Sequence, residues 1–196
     1  GDHRDLHSFP TRRSSDLLSV ADIQARLKPH EAIVTFLLPG LIPDVIPGLE
    51  VSSNHAIAIT PATVSVARIP DYSRGSLNDR ITAFRCQVAV SDPGCLNSPA
   101  AALRGAMLLD DEPDEAGFDF EGAHQLYRDL FGGVETALSD TDHLMIVPPA
   151  DLLRLPFHAL VTSEPESDSG KTDWLTRRHP TPVLPSLPRF PALRPH

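Results

Sequence analysis

The stretch HLMIVPPADLLRLPFHALV, residues 143–161, decides the fold. Its first part, His143–Val147, is a short apolar run without polar alternation, the pattern of a strand covered on both faces, as in a parallel sheet. Pro148-Pro149 withholds two backbone donors and stops the run. Leu152, Leu153, Leu155, Phe157 and Leu160 then crowd into a turn leading to a short helix. A strand, a proline stop and an apolar covering segment are the parts of an α/β layer.

Upstream, Ser19 followed by Asp22, with Val20, Ile23 and Leu27 at helical spacing, reads as a capped amphipathic helix that Pro29 stops. EAIVTFLL (31–38) is a buried strand closed by Pro39-Gly40, and LIPDVIPGLEVSSN (41–54) is a loop. HAIAIT (55–60) and TVSVARI (63–69) are two strands of a hairpin across Pro61-Ala62. Ser76 and Asp79 read as a cap ahead of Leu77, Ile81, Phe84 and Val88, one face of a helix ended by Asp92-Pro93-Gly94. Residues 110–121, DDEPDEAGFDFE, form a solvated acidic loop without the spacing or glycine of a calcium loop. Ala123, Leu126, Tyr127, Leu130, Phe131, Val134 and Leu138 keep a helical period, with a kink or a junction of two helices at Gly132-Gly133. Beyond the polar SEPESDSGKTD (163–173), WLTRRHPTPVLPSLPRF (174–190) holds a strand candidate at Thr181–Leu184. The expected fold is α/β: an incomplete parallel or mixed sheet flanked by helices, with an N-terminal helix and a β-hairpin.

The chain has 196 residues, 41% of them hydrophobic, enough for one core or part of a larger one. Its 26 acidic and 17 basic side chains leave a net charge of −9, which argues against a nucleic-acid partner, because phosphate binding needs a basic face. No apolar stretch approaches the roughly 20 residues of a membrane span. Cys86 and Cys95 fit neither a disulfide framework nor a metal pattern, so they are expected as reduced thiols in the cytoplasm. Residues 1–17 follow neither structural period, and HSFPTRRSSDL (7–17) resembles the conceptual translation of a sequencing adapter. They read as a non-native leader. Removing Arg4, Arg12, Arg13, Asp2, Asp5 and Asp16 with it leaves the −9 unchanged. At the other end, Pro180, Pro182, Pro185, Pro188, Pro191 and Pro195 forbid a continuing helix, and the chain reads as stopping mid-fold, with residues 194–196 a truncated tail.

The residues by themselves assign no catalytic, cofactor-binding or metal-ligating position. There is no G-x-S-x-G elbow, no H-E-x-x-H, no G-x-G-x-x-G and no phosphate loop, and the nine histidines are scattered. A nucleophilic pair of Cys86 or Cys95 with His124, His143 or His158 is formally possible, but neither cysteine carries the signs of activation: Cys86 lies mid-helix, and Cys95 lies in a DPGC turn without a nearby basic residue to lower its pKa. Cys86 reads instead as a partly buried structural thiol, His158 as a partly buried packing residue, and Tyr127 and Trp174 as core or edge residues.

LYRDLFGGVETAL (126–138), HLMIVPPADLLRLPFHALV and WLTRRHPTPVLPSLPRF, in that order, resemble the first half of the CHAT domain, a caspase-like module often found after tetratricopeptide repeats in bacterial proteins. The resemblance rests on Leu126-Tyr127 and Leu130, on Leu144–Pro148, on the L..LPF.AL pattern at Leu152, Leu155, Pro156, Phe157, Ala159 and Leu160, and on Trp174-Leu175, Val183, Pro185-Ser186 and Phe190. LSVADIQARLKPHEAIVTFLL and HAIAITPATVSVARIP look like the family's opening helix, strand and hairpin, so the likeness covers about residues 18–193. It implies a cysteine peptidase mechanism, with a protein or peptide as substrate or partner of the full-length parent and no cofactor. It also implies a cleft at the strand ends after Val147 and Leu184. The family's base lies in an H-G context and its nucleophile in an S-A-C context; neither occurs here. The chain is therefore expected to be inactive as given, with a non-catalytic interaction module as the alternative.

Overall fold

The computed structural model describes residues 19–38, 53–72, 74–88, 95, 118–164, 172–180 and 183–184. Four strands form its sheet: β1 (Glu31–Leu37), β2 (His55–Ile59), β3 (Val64–Arg68) and β4 (His143–Val147), in the order β3-β2-β1-β4. The first three make an antiparallel meander, with Thr35 opposite Ile57 and Ile57 opposite Val66. β4 joins β1 in parallel, Ile33 opposite Met145, and Thr35 Oγ1 donates to the Val147 carbonyl at 2.9 Å. Beyond β4, Val183 forms a parallel bridge with Ile146, and the Leu184 amide donates to the Ile146 carbonyl at 2.7 Å. The fold is thus α/β with a mixed, incomplete sheet. The strand candidate at Thr181–Leu184 survives as this bridge alone, since Thr181 and Pro182 lie outside the described residues.

His30 sets the parallel register. Its φ of 63° is left-handed, a conformation non-glycine residues seldom adopt. There its carbonyl accepts from the amides of Asp142 (2.8 Å) and His143 (3.1 Å), while Nδ1 lies 2.9 Å from the Asp140 carbonyl.

Side chains alternate across the strands, so the sheet has two faces. One carries Ala32, Val34, Phe36, Ala56, Ala58, Leu144 and Ile146, all buried against helices. α2 (Arg74–Val88) contributes Leu77, Ile81 and Phe84, and α3 (Phe120–Phe131) contributes Leu126, Tyr127, Leu130 and Phe131. Phe36, Phe131 and Phe157 pack at ring separations of 5.5–6.3 Å at its centre. The opposite face carries Ile33, Ile59, Met145 and Val147, covered by Ile23, Leu27 and Leu184. The cover is small because α1 (Val20–Gln24) has only five residues. On this second face Leu37, Val64 and Val66 remain 43%, 44% and 59% exposed.

The Ser19 capping box forms as its spacing requires: Asp22 N–H donates to Ser19 Oγ at 3.1 Å, and Ser19 N–H to Asp22 Oδ2 at 2.9 Å. The expected cap at Ser76 and Asp79 is corrected, because α2 starts at Arg74 and Ser76 lies inside its first turn. Tertiary contacts hold that end: Arg80 Nη1 donates to Tyr72 Oη (2.6 Å) and to Asp129 Oδ2 (3.0 Å) on α3, and the Tyr72 hydroxyl donates to the same carboxylate. α3 is capped by Asp119, whose side chain accepts from the Gly122 amide at 2.7 Å. Gly132-Gly133 ends it, and a 3-10 turn at Glu135–Leu138 follows, so two helical pieces meet there.

The Leu/Phe-rich stretch after β4 forms short 3-10 helices at Ala150–Leu152 and Phe157–Ala159. Pro156 lacks the amide that would carry a helix from one turn into the next. Cys86 and Cys95 are joined in a disulfide, with Cα atoms 5.2 Å apart and both residues buried, not held as free thiols. That Cα separation lies inside the range a bridge requires, which the nine-residue spacing did not reveal. A last short helix, α4 (Leu175–Arg178), is tied back by an antiparallel bridge between Val161 and Trp174. Among the described residues no helix is long and apolar enough to cross a membrane. The leader, most of the acidic loop, the 41–52 segment, the Asp92-Pro93-Gly94 turn and the proline-rich tail from Pro185 lie outside the described residues.

Candidate functional site

A cleft of about 440 Å³ opens where α3 ends, walled by His124, Tyr127 and Arg128 of α3, by Gly132, Gly133 and Glu135 beyond it, and by Thr162, Ser163 and Glu164. The amphipathic period of α3 buries Ala123, Leu126, Tyr127 and Leu130 and leaves Arg128 outside. The glycine pair then lets the chain turn back, so that Glu135 lies over Tyr127. The turn is closely packed, since a Cβ on Gly133 would sit 2.5 Å from the Ala67 Cβ of β3. Tyr127 Oη donates to Glu135 Oε1 at 3.1 Å, and Arg178 Nη1 of α4 donates to the same oxygen at 3.1 Å. Burial pushes the Tyr127 phenol well above its ordinary pKa, and the Glu135 charge and hydrogen bond add to the effect.

His124 is buried beside it, with Nδ1 3.1 Å from the Val161 carbonyl. The bond fixes the ring and leaves Nε2 as its other polar atom. Thr162 is anchored through its amide and Oγ1 to the Asp173 carbonyl, at 2.8 and 3.0 Å. The cleft therefore offers a phenol held protonated, a carboxylate balanced by Arg178 and an oriented imidazole. These groups suit recognition of a polar ligand. No thiol lines the cleft among its described residues, and the Tyr127 hydroxyl, although bonded to the Glu135 carboxylate, is held protonated rather than activated as a nucleophile. Nor do three His, Cys, Asp or Glu side chains converge on a metal position among the described residues.

The sequence-derived pairings come out as follows. Both cysteines are consumed by their mutual bond. His124 reaches the cleft, whereas His143 is exposed at the start of β4. His158 is exposed on a 3-10 turn rather than half-buried among packing residues. The apolar side chains either side of it, Phe157 and Ala159, take the inward positions. Tyr127 is a core residue as expected, and Trp174 is half-buried, its ring 5.4 Å from Phe118 and 5.9 Å from Phe120. The cleft is lined from α3 and from residues 162–164, not from the turn directly after Val147. The region after Leu184 lies outside the described residues.

Comparison with protein-family models, with curated proteins and with solved structures found no match.

Proposed function

We propose that residues 18–193 are the amino-terminal part of a CHAT-type, caspase-like cysteine peptidase, the part that precedes the catalytic His and Cys, and that this chain alone hydrolyses no peptide. The observation that carries the reading is the growth of the sheet: an antiparallel meander on one side of β1, and on the other a parallel β4 followed by a parallel contact at Val183. Parallel strands added at one edge are the framework on which an open α/β sheet builds a site at its carboxyl ends. The disulfide supports the inactivity, since a cysteine nucleophile must be a free thiolate.

A protein or peptide substrate or partner of the full-length parent and a cytoplasmic location belong to the same proposal. The bond is compatible with that compartment because both cysteines are buried, and reduction needs an attacking thiolate to reach a sulfur. The test is hydrolysis of a fluorogenic peptide panel. Turnover that disappears in Cys86→Ala or Cys95→Ala would overturn the reading.

The second reading is a non-catalytic protein–protein interaction module, favoured by a cleft that has binding groups and no nucleophile. The sequence of the parent gene past codon 196 separates the two. An H-G and an S-A-C strand end support the peptidase, and their absence supports the binding module.

A further inference from the structure

The hydrogen-bond register of the hairpin leaves alternate residues of β3 with their backbone turned away from the sheet. In an antiparallel pair, opposite residues alternate between those that exchange amide–carbonyl bonds and those whose groups point away from the partner strand. Both ends of the hairpin fix the phase: the Thr60 amide donates to the Thr63 carbonyl at 2.9 Å, and the Ile69 amide to the Asn54 carbonyl at 2.9 Å. Stepping inward by twos, Ser65 exchanges its bonds with Ala58, and Ala67 with Ala56. Val64, Val66 and Arg68 therefore aim their amides and carbonyls at the far side, where β3 is the last strand of the sheet. Among the described residues no backbone group bonds to them there.

The side chains of these residues are open as well. Val66 is 59% exposed, Val64 44% and the Arg68 side chain 65%. Edges are commonly blunted by a proline, a bulge or a charge. VSVAR (64–68) has no proline, its register is unbroken, and its one charge, Arg68, is ion-paired with Asp71 at 2.5 Å. A five-residue edge is about 17 Å long, the size of a short extended segment and well under the ~800 Å² per partner of a standard protein interface. A second copy of the chain would also bring together two net charges of −9. On the other face the Gly133 turn lies against Ala67, 2.5 Å from a Cβ placed on the glycine, so the position alongside favours a small side chain.

We propose that the outer edge of β3 is a docking site for an extended segment of a partner protein, which adds to the sheet as a further antiparallel strand. The three amides and three carbonyls of Val64, Val66 and Arg68 supply the main-chain bonds, and the side chains beside them supply the preference. That preference is for β-branched apolar residues at alternate positions, opposite Val64 and Val66, with small residues between them and basic residues at the ends to suit an acidic chain. The antiparallel sense continues the meander and is the more stable per residue. The site lies at the edge opposite β4, so it is independent of the peptidase reading.

Amide hydrogen exchange of the full chain, followed by NMR, tests the proposal with a short capped peptide that alternates valine with alanine and carries lysine at both ends. In the chain alone, Ser65 and Ala67 should be protected by the ladder to β2, while Val64, Val66 and Arg68 exchange fast. The peptide, at roughly ten times its Kd, should slow those three amides about tenfold. The same peptide with N-methylated valines should leave them fast, because the methyl groups replace the donors that face β3. Val66→Pro removes one outward amide and no ladder bond, a change that an edge strand tolerates, and should abolish the peptide's effect; the N-methylated peptide makes the same test on the unaltered chain. Slow exchange of the three amides without peptide, whether independent of protein concentration or rising with it, would mean that the chain itself or a second copy fills the edge, and would overturn the proposal. So would no protection by the valine–alanine peptide, equal protection by its N-methylated form, or undiminished protection in a Val66→Pro protein with native circular dichroism.

Discussion

The chain contains two tyrosines, and both should stay protonated in the native protein well above the pH at which tyrosine normally ionises. Burial is the main cause for each. For Tyr72, the hydrogen bond to Asp129 and that residue's charge add to burial; for Tyr127, Glu135 does the same. A phenol whose pKa is raised by folding contributes stability that is complete below the unfolded value of about 10 and is lost as pH rises beyond it. Above that point the unfolded chain releases two protons that the native one retains. Stability then falls by up to about 2.7 kcal/mol per pH unit for the pair. The slope is shallower in practice because Tyr72 is only half-buried and solvent screens it. The assay is an absorbance titration at tyrosinate wavelengths, run beside far-ultraviolet circular dichroism, in buffer and again in denaturant. Denatured protein should show both tyrosines ionising near pH 10, and native protein should show no rise until the circular dichroism collapses. A native titration with a midpoint near 10 and unchanged circular dichroism would refute the buried, carboxylate-bonded placement of both phenols.

Three further outcomes are expected. Protein purified without reductant should contain no titratable thiol, and reduction should lower unfolding stability by roughly 2–3 kcal/mol in urea melts, the loop-entropy value for a ring of this length; two free thiols in the untreated protein would contradict the bridge. Gly133→Ala should be clearly destabilising, because its new Cβ meets Ala67, and adding Ala67→Gly should recover most of the loss; in a double-mutant thermal analysis, simple additivity would rule out the contact. Asp129→Ala should cost about 2 kcal/mol, the sum of the Tyr72 and Arg80 bonds after discounting a partner that is more than a third exposed. Asp129→Asn should cost less, since it keeps an acceptor, and equal midpoints for the two variants would show that the bonds contribute nothing.

Features set by a few neighbouring residues were legible from sequence. The Ser19–Asp22 box, the buried run at residues 31–38, the hairpin and the glycine break after Phe131 each depend on local pattern, and each forms where the pattern lies. What the pattern could not convey is which distant groups meet. Glu135 and Tyr127 are joined only because the chain reverses at Gly132-Gly133, and Arg178 reaches them from an element over forty residues on. The disulfide is not legible for a related reason, as a spacing of nine is silent on whether two Cα atoms approach to 5.2 Å. The exposure of His158 is likewise hidden from the sequence, because a 3-10 turn directs successive residues differently from an α-helix. The exposed Leu37 shows the opposite limit, since its strand reads as buried throughout while one face lacks a complete cover.

The pairing of β1 with β4 has a consequence in time. The meander closes within residues 31–68, but β4 begins only at His143, about 75 residues later. At ribosomal rates of roughly 5–20 residues per second, the open edge of β1 waits about 4–15 seconds for its partner. During that interval Ile33 and Val34 border an unpaired row of amides and carbonyls, the template on which strands of other chains can add. Left-handed His30 and its two waiting hydrogen bonds mark where β4 must land, so a nascent chain is most exposed to mispairing just before residue 143 emerges.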